Sequence, residues 1–311
     1  MHKVAIIGLG HVGATVAYTL FTHGTAGELL LFDHKADKIE SEYRDLHDAI
    51  ARDHFTVQVK KANWENEDDW AKLKDFDIIV SAFGDIGATA RTGSRQAELE
   101  ENTVGVREIS AKIKKSGFNG ILLNITNPCD VIVDLYAKYT GLPKKHILGT
   151  GTYLDTSRMK RFVGEKLNID PHNVHGYVIA EHGSNQFTAW STVYAAGKMV
   201  NDMFSKSEQD KLSAEPNHSS KVVSHGKGYT NWAIASTAWR LIENIFNDTH
   251  AVVPVSNYDP DNDLYLSWPV VLGKDGILKR CDLELSEDEK QKYEKAVKTV
   301  KDRINKTDQF K

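Results

Sequence analysis

The chain has 311 residues, 41% of them hydrophobic and 26% charged, with a formal net charge of −4. Those values are ordinary for a globular protein, and the length exceeds one core, so two domains are expected. No basic block, no apolar run near the ~20 residues of a membrane helix and no metal-ligand spacing of Cys or His is present, which argues against nucleic acid, membranes and metals as partners. The first element is a short apolar run, Lys3-Val-Ala-Ile-Ile7, of a length suited to a buried parallel strand. Gly8-Leu-Gly10-His-Val-Gly13 follows, and residues 11–24 then show helical spacing through Val12, Val16 and Leu20. A second strand, Leu29-Leu-Leu-Phe32, ends on Asp33, 20 residues after Gly13.

A strand, three spaced glycines, a helix and a second strand ending in an acid form a dinucleotide fingerprint. Gly8 permits the turn, Gly10 lets a pyrophosphate approach the backbone, and Gly13 lets the helix lie close to the strand. The helix start offers free N–H groups to phosphate. Asp33 suits the hydroxyls of an adenosine ribose and repels a 2′-phosphate, which favours NAD over NADP. Residues 37–51 read as a helix, on which Lys38 lies one turn beyond Asp33, either a solvated lysine or a contact to the adenosine end.

Phe55–Val59 alternates and predicts a third strand, and 63–74 a short exposed helix. Asp77–Ser81 is a fourth strand, ending at Gly84, where a dinucleotide crosses such a sheet. Residues 85–95 lack periodicity and hold Gly87, Ala88, Ala90 and Gly93 with Arg91 and Arg95, the composition of a closing loop. A helix over 98–115 and a strand over 120–124 lead to Asn127-Pro128-Cys-Asp130 at the next strand-to-helix corner. There Asn127 either caps the helix or turns its amide into the cleft. A sixth strand, 146–149, completes a doubly wound parallel sheet. The domain boundary is placed at its end, with 1–148 for the dinucleotide and 149–311, a mixed α+β unit, for the substrate.

In the second half, a helix from about residue 152 to 167 carries Asp155 and Arg158 on one face. Strands are predicted over 174–180 and 188–195, loop and a short helix over 198–225, and a long helix over 226–247 with Thr230 on its stripe. Strands over 251–258 and 265–272, a hairpin through Lys274-Asp-Gly276 and a helix opened by the Ser286/Glu289 capping box close the chain. Cys129 and Cys281 are far apart and fit a reducing compartment, and the chain enters a strand by residue 3 with no signal peptide, so a cytoplasmic location is expected.

Taken singly, His182 after the 174–180 strand, Asp155 and Arg158 each have an ordinary structural explanation. Together they meet one chemical demand. Oxidising an alcohol requires a group to take the hydroxyl proton, and a histidine does so near neutral pH. A buried aspartate fixes its tautomer and favours its charged form. Arg158 offers a fork for a carboxylate, and an arginine from the 85–95 loop would polarise a ketone oxygen.

These motifs resemble the L-lactate/L-malate dehydrogenase family from about residue 3 to 305, and most closely its L-2-hydroxyisocaproate dehydrogenases. Leu154-Asp-Thr-Ser-Arg158 and Glu181-His182-Gly183 are similar to the family's aspartate-to-arginine and histidine motifs, 27 residues apart from Asp155 to His182. Thr92-Gly-Ser-Arg95 resembles the end of its closing loop, and Lys227-Gly-Tyr-Thr230 a pocket segment. The resemblance implies catalysis by His182, Asp155, Arg158 and Arg95. It implies cofactor contacts from Gly8, Gly10, Val12, Gly13, Asp33, Lys38, Gly84, Asn127 and Ile234, and substrate contacts from Arg95, Asn127, Arg158 and Thr230. It also implies NAD as cofactor, a 2-hydroxy/2-keto acid substrate and a homo-oligomer, tetramer or dimer.

Departures bear on substrate. Ala180 replaces the usual glycine, and Ser184-Asn-Gln-Phe187 and Ser81-Ala-Phe-Gly84 are of the hydroxyisocaproate type. Arg91 lies only four residues before Arg95, which is not the spacing of malate enzymes. Small uncharged loop residues lead to the expectation of 2-ketoisocaproate ahead of pyruvate, and of oxaloacetate last. Lys160 and His175 match effector positions of sugar-bisphosphate-activated relatives, but lysine is a poor fork, so no activation is expected. A non-catalytic NAD sensor would be free to lose any one of the four catalytic candidates. An NAD-dependent glycosidase would need a Cys/His metal site that the sequence lacks.

Overall fold

The computed structural model describes residues 1–84 and 95–310, without the side chains of residues 95 and 96. The first half alternates β1 (Lys3–Ile7), α1 (His11–Thr22), β2 (Glu28–Phe32), α2 (Ala36–Ile50), β3 (Gln58–Lys61), α3 (Glu67–Ala71), β4 (Ile78–Ser81), α4 (Arg95–Ser116), β5 (Ile121–Asn124), α5 (Cys129–Thr140) and β6 (Ile147–Gly149). The second half adds α6 (Tyr153–Leu167), five two-residue strands β7 to β11 between Val174 and Met199, α7 (Lys206–Lys227), α8 (Trp232–Phe246), β12 (Ala251–Asp259), β13 (Leu264–Gly273), β14 (Gly276–Arg280) and α9 (Glu287–Thr307).

Among the described residues the main sheet has nine strands, ordered β14-β13-β12-β6-β5-β4-β1-β2-β3. The six strands of the first half pair in parallel. Antiparallel strands from the second half extend the sheet past β6, where Ser256 pairs with Gly149. This is the expected doubly wound sheet joined to a mixed α+β unit. The strand order reverses between β1 and β4, and ligand clefts open at the carboxyl ends of strands at such a point.

Alternation along each strand builds two cores. Ala5, Ile7, Leu30, Phe32 and Ile79 face α4, α5 and α9 through Val106, Ile109, Ile132 and Val300. Val4, Ile6, Leu29, Leu31 and Val80 face α1, α2 and α8 through Leu20, Leu46 and Leu241. Each buried Val, Leu, Ile or Phe among them contributes about 1.5–3 kcal/mol, which keeps the strand ends that carry the site in register.

Several elements differ from the expected boundaries. The third strand is Gln58–Lys61 rather than Phe55–Val59, because pairing with β2 runs from Glu28–Gln58 to Leu31–Lys61. Phe55 instead packs over the turn at Gly24. Most of the polar 198–225 stretch belongs to a 22-residue helix, α7, that runs on to Lys227. Ser205 and Glu208 form a reciprocal capping box that starts it, and Pro216 lies buried within it. The long helix expected from Gly226 is therefore divided: α7 ends at Lys227, capped by Gly228, whose φ of 80° suits glycine, and α8 starts at Trp232. Thr230 lies in the link. The strand expected over 174–180 bends at Gly176 into β7 (Val174–His175) and β8 (Val178–Ile179). That over 188–195 is interrupted by a 3-10 turn at Trp190–Thr192. The loop expected over 85–95, with Arg91, lies outside the described residues apart from the backbone of Arg95.

Candidate active site

The cleft lies over the carboxyl ends of β1, β4 and β5 and reaches the second half at α6, α7 and the link before α8. Its wall includes Gly10, His11, Val12, Gly84, Asn102, Asn127, Arg158, His182, Ser220, Thr230 and Ile234. At its floor, Gly8 has φ +94°, and a Cβ there would stand 2.5 Å from the Phe83 backbone. A Cβ at Gly13 would stand 1.9 Å from the Gly8 carbonyl oxygen, so this glycine lets α1 touch the turn. Gly10, at the helix N-cap, has nothing within 4 Å of its Cβ direction. Two of the glycines are thus demanded by the protein itself, and the third faces open space at a helix N-terminus, as an incoming phosphate requires.

Asp33 ends β2 and is buried. The Leu9 N–H donates to its Oδ2 at 2.8 Å and the Lys35 N–H to its Oδ1 at 3.0 Å, which fixes the carboxylate next to the glycine turn. Lys38 does not line the cleft, and its ammonium pairs with Glu42 one turn along α2. At the crossover, the Thr126 hydroxyl donates to the Phe83 carbonyl at 2.6 Å and Asn102 Nδ2 to the Asn127 carbonyl at 2.7 Å. These bonds tie the chain after β4, with Gly84, to the chain after β5, with Asn127, and the latter to α4.

The chemical groups meet because α6 and β8 are tied together. The Thr152 hydroxyl donates to the Val178 carbonyl at 2.6 Å, and the Val178 N–H donates to Thr156 Oγ1 at 2.9 Å. Beyond β8, Ala180 bridges to Ser267 of β13, with N–H···O distances of 2.9 and 3.2 Å. Asp155 and His182 are thereby brought face to face across 27 residues of sequence. His182 Nδ1 lies 2.8 Å from Asp155 Oδ2, and Arg158 donates from a terminal nitrogen to Asp155 Oδ1 at 3.0 Å.

Burial opposes a charge on Asp155, but His182 and Arg158 more than offset it and hold its pKa below the usual aspartate value. Burial likewise pulls the His182 imidazole down, and the charge and hydrogen bond of Asp155, with Asp130 adding to them, raise it above the usual histidine value. A histidine with Nδ1 committed to a carboxylate and its ring on the cleft wall can exchange a proton through Nε2.

The cleft thus gathers Gly10, Val12, Gly84, Asn127, Arg158, His182, Thr230 and Ile234 of the residues expected from sequence, with Asp155 directly behind His182. Arg95 opens α4, and its side chain is outside the described residues. Lys160 is partly buried, which lowers its pKa, and His175 is exposed with its ring stacked on Tyr194. Sequence reasoning missed Asn102, Ser220 and Asp130. Asn102 lies on a helix read only for its period, and Ser220 on α7, read largely as loop. Asp130 was seen within Asn127–Asp130 without a role, yet its Oδ2 accepts the His182 N–H at 2.7 Å. No group of His, Cys, Asp or Glu suited to a metal ion occurs among the described residues.

Residues 2–149 match the family model described as lactate/malate dehydrogenase, NAD binding domain, and residues 152–311 match lactate/malate dehydrogenase, alpha/beta C-terminal domain. The chain is 36% identical to L-lactate dehydrogenase 1 of Bifidobacterium longum, over 97% of this chain and 96% of that one. It is 31% identical to the L-lactate dehydrogenase of Halalkalibacterium halodurans, over 97% and 96%. Among solved structures, the minor L-lactate dehydrogenase of Enterococcus mundtii in a ligand-bound form superposes with a TM-score of 0.91 at 28% identity, covering 98% of each chain. A lactate dehydrogenase from a Medee basin deep-sea metagenome library gives the same score and identity over 99% of each. These relatives lend the hydroxyisocaproate subgroup no particular support.

Proposed function

The chain belongs to the lactate/malate dehydrogenase family and is an NAD-dependent dehydrogenase acting on a CH–OH group, and we propose that it interconverts an L-2-hydroxy acid and its 2-keto acid, with pyruvate as the leading keto substrate. The observation that carries the reaction is the His182–Asp155–Arg158 cluster on the wall of a cleft that begins at the glycine turn. The residues fit NAD: the open floor at Gly10 suits a pyrophosphate, and Asp33 stands beside it at the end of β2. Gly84 and Asn127 would flank the dinucleotide at the crossover, and Val12 and Ile234 would pack against its nicotinamide end. In this reading, residues 1–148 hold the cofactor and 149–311 supply the acid/base and the carboxylate clamp.

The cofactor, when bound, would supply the hydride for C2 of the keto acid as NADH and accept it in the reverse direction as NAD. Arg158 clamps the substrate carboxylate through a charge-assisted fork. His182, protonated, donates from Nε2 to the keto oxygen and is left neutral. In the oxidative direction the neutral ring takes the hydroxyl proton. Asp155 holds Nδ1–H, so the ring presents Nε2 in either state. Arg95 would stand by the keto oxygen and stabilise its developing charge.

Pyruvate leads because the named relatives are L-lactate dehydrogenases. A branched acid such as 2-ketoisocaproate is the second reading, favoured by the uncharged Thr230 and Ile234 on the cleft wall. The test is kcat/KM with NADH for pyruvate, 2-ketoisocaproate and oxaloacetate. Pyruvate ahead supports the first reading and 2-ketoisocaproate ahead the second. Oxaloacetate ahead refutes both. NADH binding without turnover of any of them would refute the enzymatic reading in favour of a sensor.

A further inference from the structure

Asp130 lies in the first turn of α5 and is 2% exposed. The His182 N–H donates to its Oδ2 at 2.7 Å, and the Ser267 hydroxyl lies 3.4 Å from its Oδ1. Ser267 is the residue of β13 that bridges to Ala180. The same carboxylate therefore touches the histidine's main chain and the strand against which that loop is seated. Other charged groups surround the pair. Glu181 precedes His182 and is paired with Arg303 of α9, while Asp155 and Arg158 of α6 lie on the imidazole side.

We propose that Asp130 is a positioning residue that anchors the His182 main chain to α5 and β13, and whose negative charge favours the imidazolium form of His182. The inference rests on the acid/base reading of His182. Its geometry is direct, because an acceptor 2.7 Å from the N–H fixes the residue whose ring must reach the keto oxygen. Electrostatics agree. Burial pushes the Asp130 carboxyl up to about 6, and its hydrogen bonds and the nearby His182 offset this only in part. A buried acid that resists ionising is a poor choice for holding a loop, since a neutral amide of the same shape makes the same two contacts. What the amide lacks is the charge.

The test is Asp130→Asn in the full chain, with Ser267→Ala as a milder companion that removes one donor and so favours neutral Asp130. The readouts are the NMR titration of the His182 ring, assigned by comparison with His182→Gln, and kcat, KM and Tm. For Asp130→Asn the His182 titration moves to lower pH and kcat at neutral pH falls about tenfold or more, while keto acid KM stays within about threefold. Tm is unchanged or higher. Ser267→Ala moves the titration in the same direction by less. An unmoved His182 titration in both variants overturns the proposal, and so does a loss of kcat that tracks a fall in Tm with the titration in place. The titration needs no substrate. If the unaltered protein turns over no keto acid, the functional reading fails and the midpoint alone decides the role of Asp130.

Discussion

Asp155→Asn removes one charge and, with its oxygen kept on His182, exchanges the acceptor Oδ1 that Arg158 uses for an NH2 donor. The carboxylate is buried, with Oδ2 2.8 Å from His182 Nδ1, and the amide that replaces it has the same shape and still offers an oxygen to Nδ1–H. Two unit charges about 4 Å apart interact by about 4 kcal/mol at an effective dielectric near 20. The His182 side chain is 29% exposed, so water screens part of that figure, and the retained hydrogen bond keeps another part. A loss of about 2–3 kcal/mol from the protonated form of His182 is expected, which is roughly 30- to 200-fold in kcat for keto acid reduction at neutral pH. The direction on pH follows from the opposed causes. Burial lowers the pKa of His182 and Asp155 raises it, so without the carboxylate the ring loses its proton at lower pH. Reduction needs the protonated ring, and its alkaline limb should move down. Oxidation needs the neutral ring, and its acid limb should move down as well. Steady-state profiles of kcat in both directions check this. An alkaline limb at the wild-type position with kcat within about threefold would refute the idea that Asp155 acts through its charge.

Arg158→Lys replaces a fork by a point charge, and one lost charge-assisted hydrogen bond of about 1.5–3 kcal/mol should raise the keto acid KM roughly 10- to 100-fold with a smaller effect on kcat. A fall confined to kcat would contradict the clamp. Ala180 has φ +77° and no exposure. In Ala180→Gly, relief of about 1–2 kcal/mol of strain is offset by backbone entropy and the loss of a buried methyl, so urea unfolding should shift by less than about 1 kcal/mol. Ala180→Val adds a branched Cβ at the same φ and should cost about 2–3 kcal/mol. Asp130 titrates near 6 in the folded state against an ordinary 3.8, so folding takes up a proton between those values. Ionised Asp130 therefore costs the fold about 3 kcal/mol at pH 7, a penalty that fades as pH falls towards about 4. Asp130→Asn should unfold at higher urea than the parent at pH 7, with the gap closing at low pH, and a gap that does not change with pH would refute the assignment.

What was legible in the sequence was local. Gly8, Gly10, Gly13 and Asp33 are read from spacing because a strand, a turn and a helix start fix them within 33 residues. Chemical demand grouped His182 with Asp155, since spacing alone does not bring residues 27 apart together. The ties that do so are the Thr152 and Thr156 hydroxyls on Val178, which carry no periodic signal. Asp130 is harder still to read. Its partner is a main-chain N–H 52 residues away, and a backbone donor looks the same at every position. Helix α7 was obscured by its polar composition and by Pro216, although its capping box stands plainly at Ser205-x-x-Glu208. The edge strand slipped from its expected place because the neighbour it pairs with, rather than its own alternation, sets its register.

The charges around His182 explain why one histidine is faced by two acids. Asp130 and Asp155 supply two negative charges, and Arg158 supplies one positive charge. Glu181 is already matched by Arg303 on α9. With His182 neutral the group carries a net charge of minus one, and with His182 protonated it carries none. In the proposed reaction a keto acid would arrive as an anion at Arg158, and so would meet a balanced group only when the ring holds its proton. Substrate carboxylate and imidazolium then favour each other by linkage, each binding better in the presence of the other. The proton needed for reduction is therefore in place when the keto acid is. A hydroxy acid bound to neutral His182 would add a second uncompensated negative charge; uptake of its hydroxyl proton would make the ring positive beside Asp155 and Asp130, and the negative charge left on the oxygen would depart with the hydride. Were Asp130 neutral, the group would carry no charge with the ring neutral and become positive once the ring charged, so the keto acid would still bind but the ring's own hold on its proton would weaken. In the proposed reaction, substrate clamping and proton affinity are thus assigned to different residues: Arg158 would draw the carboxylate, and the two aspartates would keep the proton on the ring until the keto oxygen takes it.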